Sequence, residues 1–129
     1  MKLLLDTHIW LWSLREPERL GHYLRSELRS DKHELWLSPV STWEALLLNE
    51  KGRIRLEPDL VAWLNDATAH LQEAPLTHEI VLAARQLSLS HRDPADRFLA
   101  ATAQVLGLTL VTADQRLLGL PEIHTLANR

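Results

Sequence analysis

Cysteine is missing from all 129 residues. That excludes disulfides, thiol nucleophiles and thiolate-bound metals, and leaves oxygen or imidazole as the only metal ligands. It is compatible with a reducing cytoplasm, which is the expected location. Excess positive charge is also missing: 14 Lys and Arg face 17 Asp and Glu, for a net charge of -3. The chain is therefore no basic coat for duplex DNA, although RNA stays open because local charge matters more than the total. No apolar run approaches the roughly 18 residues of a membrane span, so no membrane partner is expected. The opening MKLLLDTHIWLW is cut by Asp6, Thr7 and His8 and has no small-residue cleavage site after it, so it does not read as a signal peptide. No glycine-rich phosphate loop, serine elbow or zinc-type histidine spacing is present. There is no repeat of roughly 20 to 50 residues, no low-complexity linker and no long charge run, so one domain over residues 1–129 is expected.

What is present is enough apolar material, 46%, for one compact core. KLLLD (2–6) is short and ends abruptly on an acid, as a buried strand does. In THIWLWSLREPERLGHYLRSELRS, Pro17 is expected to start a second helix, with Leu20, Leu24 and Leu28 as its apolar stripe. ELWLS (34–38) reads as a strand, and PVSTWEALLLNEKG as a helix that begins near Pro39 and stops at Gly52. EKGRIRLEPD is an exposed connector or a polar hairpin. Further helices are expected from near Pro58, from Thr77 or Leu76, and from Asp93 to Gly107. LTLVT (108–112) is the clearest later strand, ADQRLLGL is a turn with a short helix, and EIHTL (122–126) is a last strand. Short apolar strands alternating with helices imply an α/β fold, a mostly parallel central sheet flanked by helices in three layers.

In open parallel sheets ligands gather beyond the C-terminal strand ends. Asp6 stands at the end of the first strand, and Asp114 two residues beyond LTLVT. Glu44 and Asp96 lie in the early turns of two helices that start from the same side. Four acids from four distant segments can therefore converge. Crowded carboxylates must protonate or bind a cation, and hard oxygen ligands suit Mg2+ or Mn2+. Each acid also has a purely structural reading. Asp93 before Pro94 makes an N-cap, with Asp96 at the third helical position. Glu44 completes a capping box with Ser41, or sits one turn inside a helix capped by Ser38. Asp114 serves equally as a turn residue. Asp6 is the hardest to explain structurally, because an unpaired charge beside LLL is expensive.

Taken in order, LLLDTH, SPVSTWE, DPADRFLAATA and LVTAD resemble a PIN domain of the VapC toxin type, over nearly the whole chain. The resemblance implies a metal-dependent endoribonuclease, the toxin of a toxin-antitoxin pair. It implies a mostly parallel sheet between helices. The family's four acids fall on Asp6, Glu44, Asp96 and Asp114, as catalytic groups and ligands of Mg2+ or Mn2+. Thr7, Ser41, Asp93 and Thr112 match supporting positions, with Asp93 a cap first. His8 is shared with only part of the family. The implied partners are an RNA substrate and a cognate antitoxin that inserts into the acidic groove. A homodimer, a larger assembly with the antitoxin, and operator DNA reached only through the antitoxin are implied as well.

The expected chemistry is attack of a metal-bound hydroxide on the phosphate, displacing the 3' oxygen and leaving a 5' phosphate. An acidic pocket repels RNA, so basic rim residues are sought: Arg97, Arg92, Arg116, Lys51, Arg53 and Arg55, each of which also reads as a solvated charge. The five tryptophans can stack bases but more often serve a core or interface. HIWLW and the Leu20/Leu24/Leu28 face are candidate contact surfaces or core. Two rivals fare less well. A haloacid-dehalogenase-like phosphatase wants a second aspartate where His8 stands, and a binding module that keeps the fold without cleavage would use the acids only as caps.

Overall fold

The computed structural model describes residues 1–89 and 93–129. Five strands form one sheet in the order β3-β2-β1-β4-β5, and all four pairings are parallel. They are β1 (Lys2–Leu5), β2 (Glu34–Leu37), β3 (Gln72–Glu73), β4 (Thr109–Thr112) and β5 (His124–Ala127). The helices are α1 (Thr7–Arg15), α2 (His22–Arg29), α3 (Pro39–Glu50), α4 (Leu60–Ala67), α5 (His78–Gln86), α6 (Pro94–Leu106) and α7 (Gln115–Leu118).

The period of two along a strand sends alternate leucines of β1 to opposite faces. Leu4 joins Leu110, Ile80, Leu99 and Ala100 under α5 and α6. Leu3 and Leu5 join Val111, Ile9, Trp10, Leu24 and Trp63 under α1, α2 and α4. All three leucines are buried, and each contributes about 1.5–3 kcal/mol of apolar burial. This double-sided burial explains why LLL shows no polar alternation and yet forms a strand. The result is the expected three-layer α/β arrangement.

Helix ends follow their capping residues. Ser38, Asp59, Thr77 and Asp93 accept bonds from the first-turn amides of α3, α4, α5 and α6. Gly107 ends α6 with φ at +67°, a left-handed conformation that costs a glycine little.

Several expectations need correction. Pro17 opens only a 3-10 turn, Pro17–Arg19, and α2 starts after Gly21. Leu20 therefore lies outside that helix. A β-carbon on Gly21 would meet the carbonyl carbon of Arg129 at 1.9 Å, so the chain's last residues are packed against this break. Leu20, Leu24, Ile9, Trp10 and Leu11 are buried, which makes them core and not contact surface. EKGRIRLEPD contains no strand, so it is a loop and not a hairpin. The last strand begins at His124, two residues later than expected. β3 was not foreseen: two exposed polar residues carry no apolar pattern, and backbone pairing to Trp36 and Leu37 alone makes them a strand.

Candidate active site

The chain runs from β1 outward to β2 and β3, then crosses to β4 and β5 on the other side. The reversal falls between β1 and β4, where Leu5 pairs with Val111 and the Asp6 amide donates to the Val111 carbonyl at 3.0 Å. Crevices form at such reversals. Asp6 sits on one side of this one, and Thr112 and Asp114 on the other. α1, α3, α6 and α7 all begin near this rim, and their N-terminal partial positive charge favours carboxylates there.

Asp6 is 7% exposed and fully engaged. One oxygen accepts from the Thr7 amide at 2.7 Å, capping α1, and the other accepts from Thr112 Oγ1 at 2.6 Å. Thr112 Oγ1 in turn accepts from the Asp114 amide at 3.0 Å. Burial pushes the Asp6 carboxyl up from the ordinary aspartate range, against the bonds from Thr112 and Thr7 that pull it down. Thr7 Oγ1 stands 2.9 Å from Ser41 Oγ and hydrogen-bonds Glu44 Oε1. A hydroxyl has one proton, so when Thr7 donates to Glu44, Ser41 donates to Thr7. Burial raises the Glu44 carboxyl, with Asp93 and Asp6 adding to it and the Thr7 bond opposing. Ser38, not Ser41, caps α3, so Glu44 lies one turn inside the helix and the capping-box alternative falls away.

Asp93 caps α6 through the Ala95 amide at 3.0 Å. Asp96 lies in the first turn of α6, half-buried, with its pKa pushed up to about 7. Burial is the main cause, followed by repulsion from Asp93, Asp6, Asp114 and Glu44. The other sequence-nominated acids thus all act on Asp96 across the crevice. Asp114 caps α7 and accepts from Arg116 Nε at 3.2 Å and Nη2 at 3.0 Å.

The donor set is all carboxylate oxygen, which suits a hard divalent cation. Even so, among the described residues no group of three or more His, Asp or Glu side chains stands as a ready-made ion cluster. The two observations differ for a physical reason. Carboxylates repel over longer distances than a coordination sphere spans, and the oxygens of Asp6, Glu44, Asp93 and Asp114 are aimed at local donors.

Of the expected basic rim, Arg116 is the member that stands at the acids among the described residues. Arg97 donates to the Ala84 carbonyl at 2.8 Å and the Leu89 carbonyl at 2.6 Å, tying the end of α5 to α6. Lys51, Arg53 and Arg55 follow the far end of α3, Lys51 roughly 10 Å along the axis from Glu44 at the usual helical rise. Arg116 is bound to Asp114. Arg92 lies outside the described residues. What the sequence reading missed is the apolar cleft beside the acids, about 650 Å³, shared by Thr7, His8, Glu44 and Asp93 with Trp43 and Phe98. The exposed Trp43 next to Glu44 was the available clue, hidden among five tryptophans.

The family model described as PIN domain matches residues 3–122. Ribonuclease VapC22 of Mycobacterium tuberculosis is 35% identical over 116 residues, covering 89% of this chain and 88% of the relative. Two solved structures share the fold. DNA-bound VapBC from Salmonella typhimurium has a TM-score of 0.76 at 17% identity, covering 100% of this chain and 99% of that one. VapBC2 from Rickettsia felis, bound to a promoter DNA fragment, has a TM-score of 0.74 at 15% identity, covering 98% of each chain.

Proposed function

This chain belongs to the PIN domain family, and we propose that it is an endoribonuclease, the toxin of a toxin-antitoxin pair, working with Mg2+ or Mn2+. The observation that carries the metal-site reading is the gathering of Asp6, Glu44, Asp93, Asp96 and Asp114 at one crevice, to which the raised Asp96 carboxyl adds. A carboxyl with a pKa near 7 at a crevice where four other acids press on it is a place that a cation would relieve. Asp6 and Asp96 are the proposed direct ligands. Glu44 ligates or orients the water, and Asp114 holds a second ion or acts through water.

A divalent ion held there would supply a Lewis acid that polarises the scissile phosphate and acidifies a water. The chain's own residues do the rest. Thr7 and Thr112 fix both Asp6 oxygens, so that carboxylate does not reorganise during the reaction. Thr7 and Ser41 hold Glu44 in place. Asp96 would be ionised once it held the ion, so the proton of the attacking water would go to Glu44, where Glu44 orients that water. Water oxygen bonds to phosphorus, the bond to the 3' oxygen breaks, and the downstream fragment keeps a 5' phosphate.

The homology and the neighbouring toxin-antitoxin complexes, two of them bound to DNA, support an antitoxin partner that reaches operator DNA; a homodimer and a larger assembly with the antitoxin are part of the proposal. No described helix is long and apolar enough to cross a membrane; a cytoplasmic location is part of the proposal.

The test is cleavage of single-stranded RNA by protein purified free of any partner, with magnesium or manganese and with chelator. Metal-dependent cleavage that is lost in Asp6→Asn and Asp96→Asn, with folding intact, is the expected result. Wild-type rates in both variants would overturn the assignment of these residues. No cleavage by the wild type with either metal would favour the rival, a PIN fold that binds without cutting.

A further inference from the structure

The five tryptophans do not behave alike. Trp10 and Trp63 are buried and pack together with ring centroids 5.6 Å apart. Trp12 lies against His8 and carries the Arg19 guanidinium 4.4 Å above its ring. The Trp36 indole N–H donates to Glu34 at 3.2 Å. Trp43 is 63% exposed, and among the described residues its ring enters no hydrogen bond or ring contact. A large aromatic ring left in water at a site has an unused apolar face.

Its position gives that face a use. Trp43 directly precedes Glu44 on α3, and both line the same cleft of about 650 Å³. Phe98, in the second turn of α6, lines the cleft as well, and Leu47 and Leu76 extend the apolar surface. The volume lies in the range of small-ligand sites. Among its described lining residues there is no Lys or Arg, and the stretch of Trp43, Leu47, Leu76 and Phe98 gives a phosphate no cationic partner. A nucleotide chain with one phosphate at the carboxylates must still place its neighbouring base somewhere close by. The apolar part of the same cleft is that place, because it rewards a flat apolar face and repels charge.

We propose that Trp43 and Phe98 form a nucleobase subsite, which receives an unstacked base of single-stranded RNA beside the scissile phosphate. The proposal rests on the ribonuclease reading for the location of that phosphate. The subsite supplies affinity that the acidic centre lacks, and it selects strands able to turn a base out of the stack. Stacking on an aromatic ring tolerates any base, so the selection is for single strands before it is for sequence.

The test uses short fluorescein-labelled oligouridylate and oligoadenylate, and a strand of the same length without bases. Binding is titrated in the Asp96→Asn background, alone and combined with Trp43→Ala or Trp43→Phe. W43A should weaken binding of the base-bearing strands on the order of tenfold to a hundredfold, W43F much less, and the abasic strand should bind equally to all three. With Asp96 intact, W43A should raise KM and leave kcat within about twofold, as loss of uniform binding does. Equal losses on base-bearing and abasic strands, or no loss on either, would overturn the subsite. So would a W43A protein that passes from dimer to monomer in RNA-free sedimentation while its base dependence is unchanged, since the face would then lie between copies. A wild type that cuts no RNA counts against the nuclease reading, whereas the abasic comparison judges the subsite without any cleavage.

Discussion

The crevice has two halves built from the same part, an aspartate just past a parallel strand. At the inner half Asp6 is buried, and both its oxygens are held by the fold. At the outer half Asp114 meets solvent and binds the exposed guanidinium of Arg116. Position relative to the core makes the difference. The central strand carries its acid inside, where desolvation raises the carboxyl and hydrogen bonds must compensate. Asp114 stands two residues past β4, far enough for water and an exposed arginine to compete for it. The inner half is organised before anything binds, and the outer half must exchange a partner.

The largest expected break in this comparison is Asp6→Asn. RNA cleavage should fall on the order of a thousandfold, in the range seen for loss of a key electrostatic group. The melting temperature should hold or rise, because a buried charge is removed while an amide oxygen still caps Thr7. Thr112→Ala comes next. It leaves an Asp6 oxygen buried without its donor, at a cost of about 1–3 kcal/mol, and frees the Asp114 amide. Chemical denaturation should show that loss, with cleavage down roughly tenfold or more; an unchanged midpoint would mean Asp6 is not held as described.

A third prediction concerns Asp96. Its folded pKa, about 7, lies above the unfolded value of 3.8, so between those values the folded state binds more protons. Its contribution to stability is therefore fully present below about pH 4 and is lost as pH rises through about 7. In chelator, wild-type melting temperatures should fall from pH 5 to pH 8, and Asp96→Asn should flatten that slope. Magnesium should restore the wild type at pH 8 more than D96N. A metal-free profile that rises over that range in wild type but not in D96N would contradict the repulsion described.

The smallest effect belongs to the outer half. Arg116→Ala removes the competitor for Asp114, so calorimetry should show magnesium binding tightened by a few fold, and more so at low salt, where exposed pairs are screened least. The melting temperature should stay put. Weaker magnesium binding in R116A would mean that Arg116 helps the site instead of competing in it.

Much of this was legible from residue order. Asp6 stood out because LLL demanded burial and a charge followed directly. Asp93 with Pro94, and Gly107, bounded α6 through local backbone chemistry that needs no tertiary information. The choice between caps and cation site was not legible, because capping does not decide it: Asp6, Asp93 and Asp114 each cap a helix while facing the same crevice. Ser41 and Glu44 fitted a capping box by spacing, and only the packing of α1 on α3 shows Thr7 standing between them. Arg97 looked like a phosphate contact because it follows Asp96, yet neighbours on a helix point apart, and the guanidinium meets two carbonyls instead. β3 was invisible because its strand character is borrowed from β2.

β1 is the central strand, and its pairing with β4 joins Leu3 to Thr109. Asp6 therefore waits for a hydroxyl 106 positions later in the chain. A nascent polypeptide that has not yet delivered β4 from the ribosome lacks half of the crevice, whatever else has folded. The two sides of the crevice therefore come together only through a pairing between segments far apart in the chain, not through local structure.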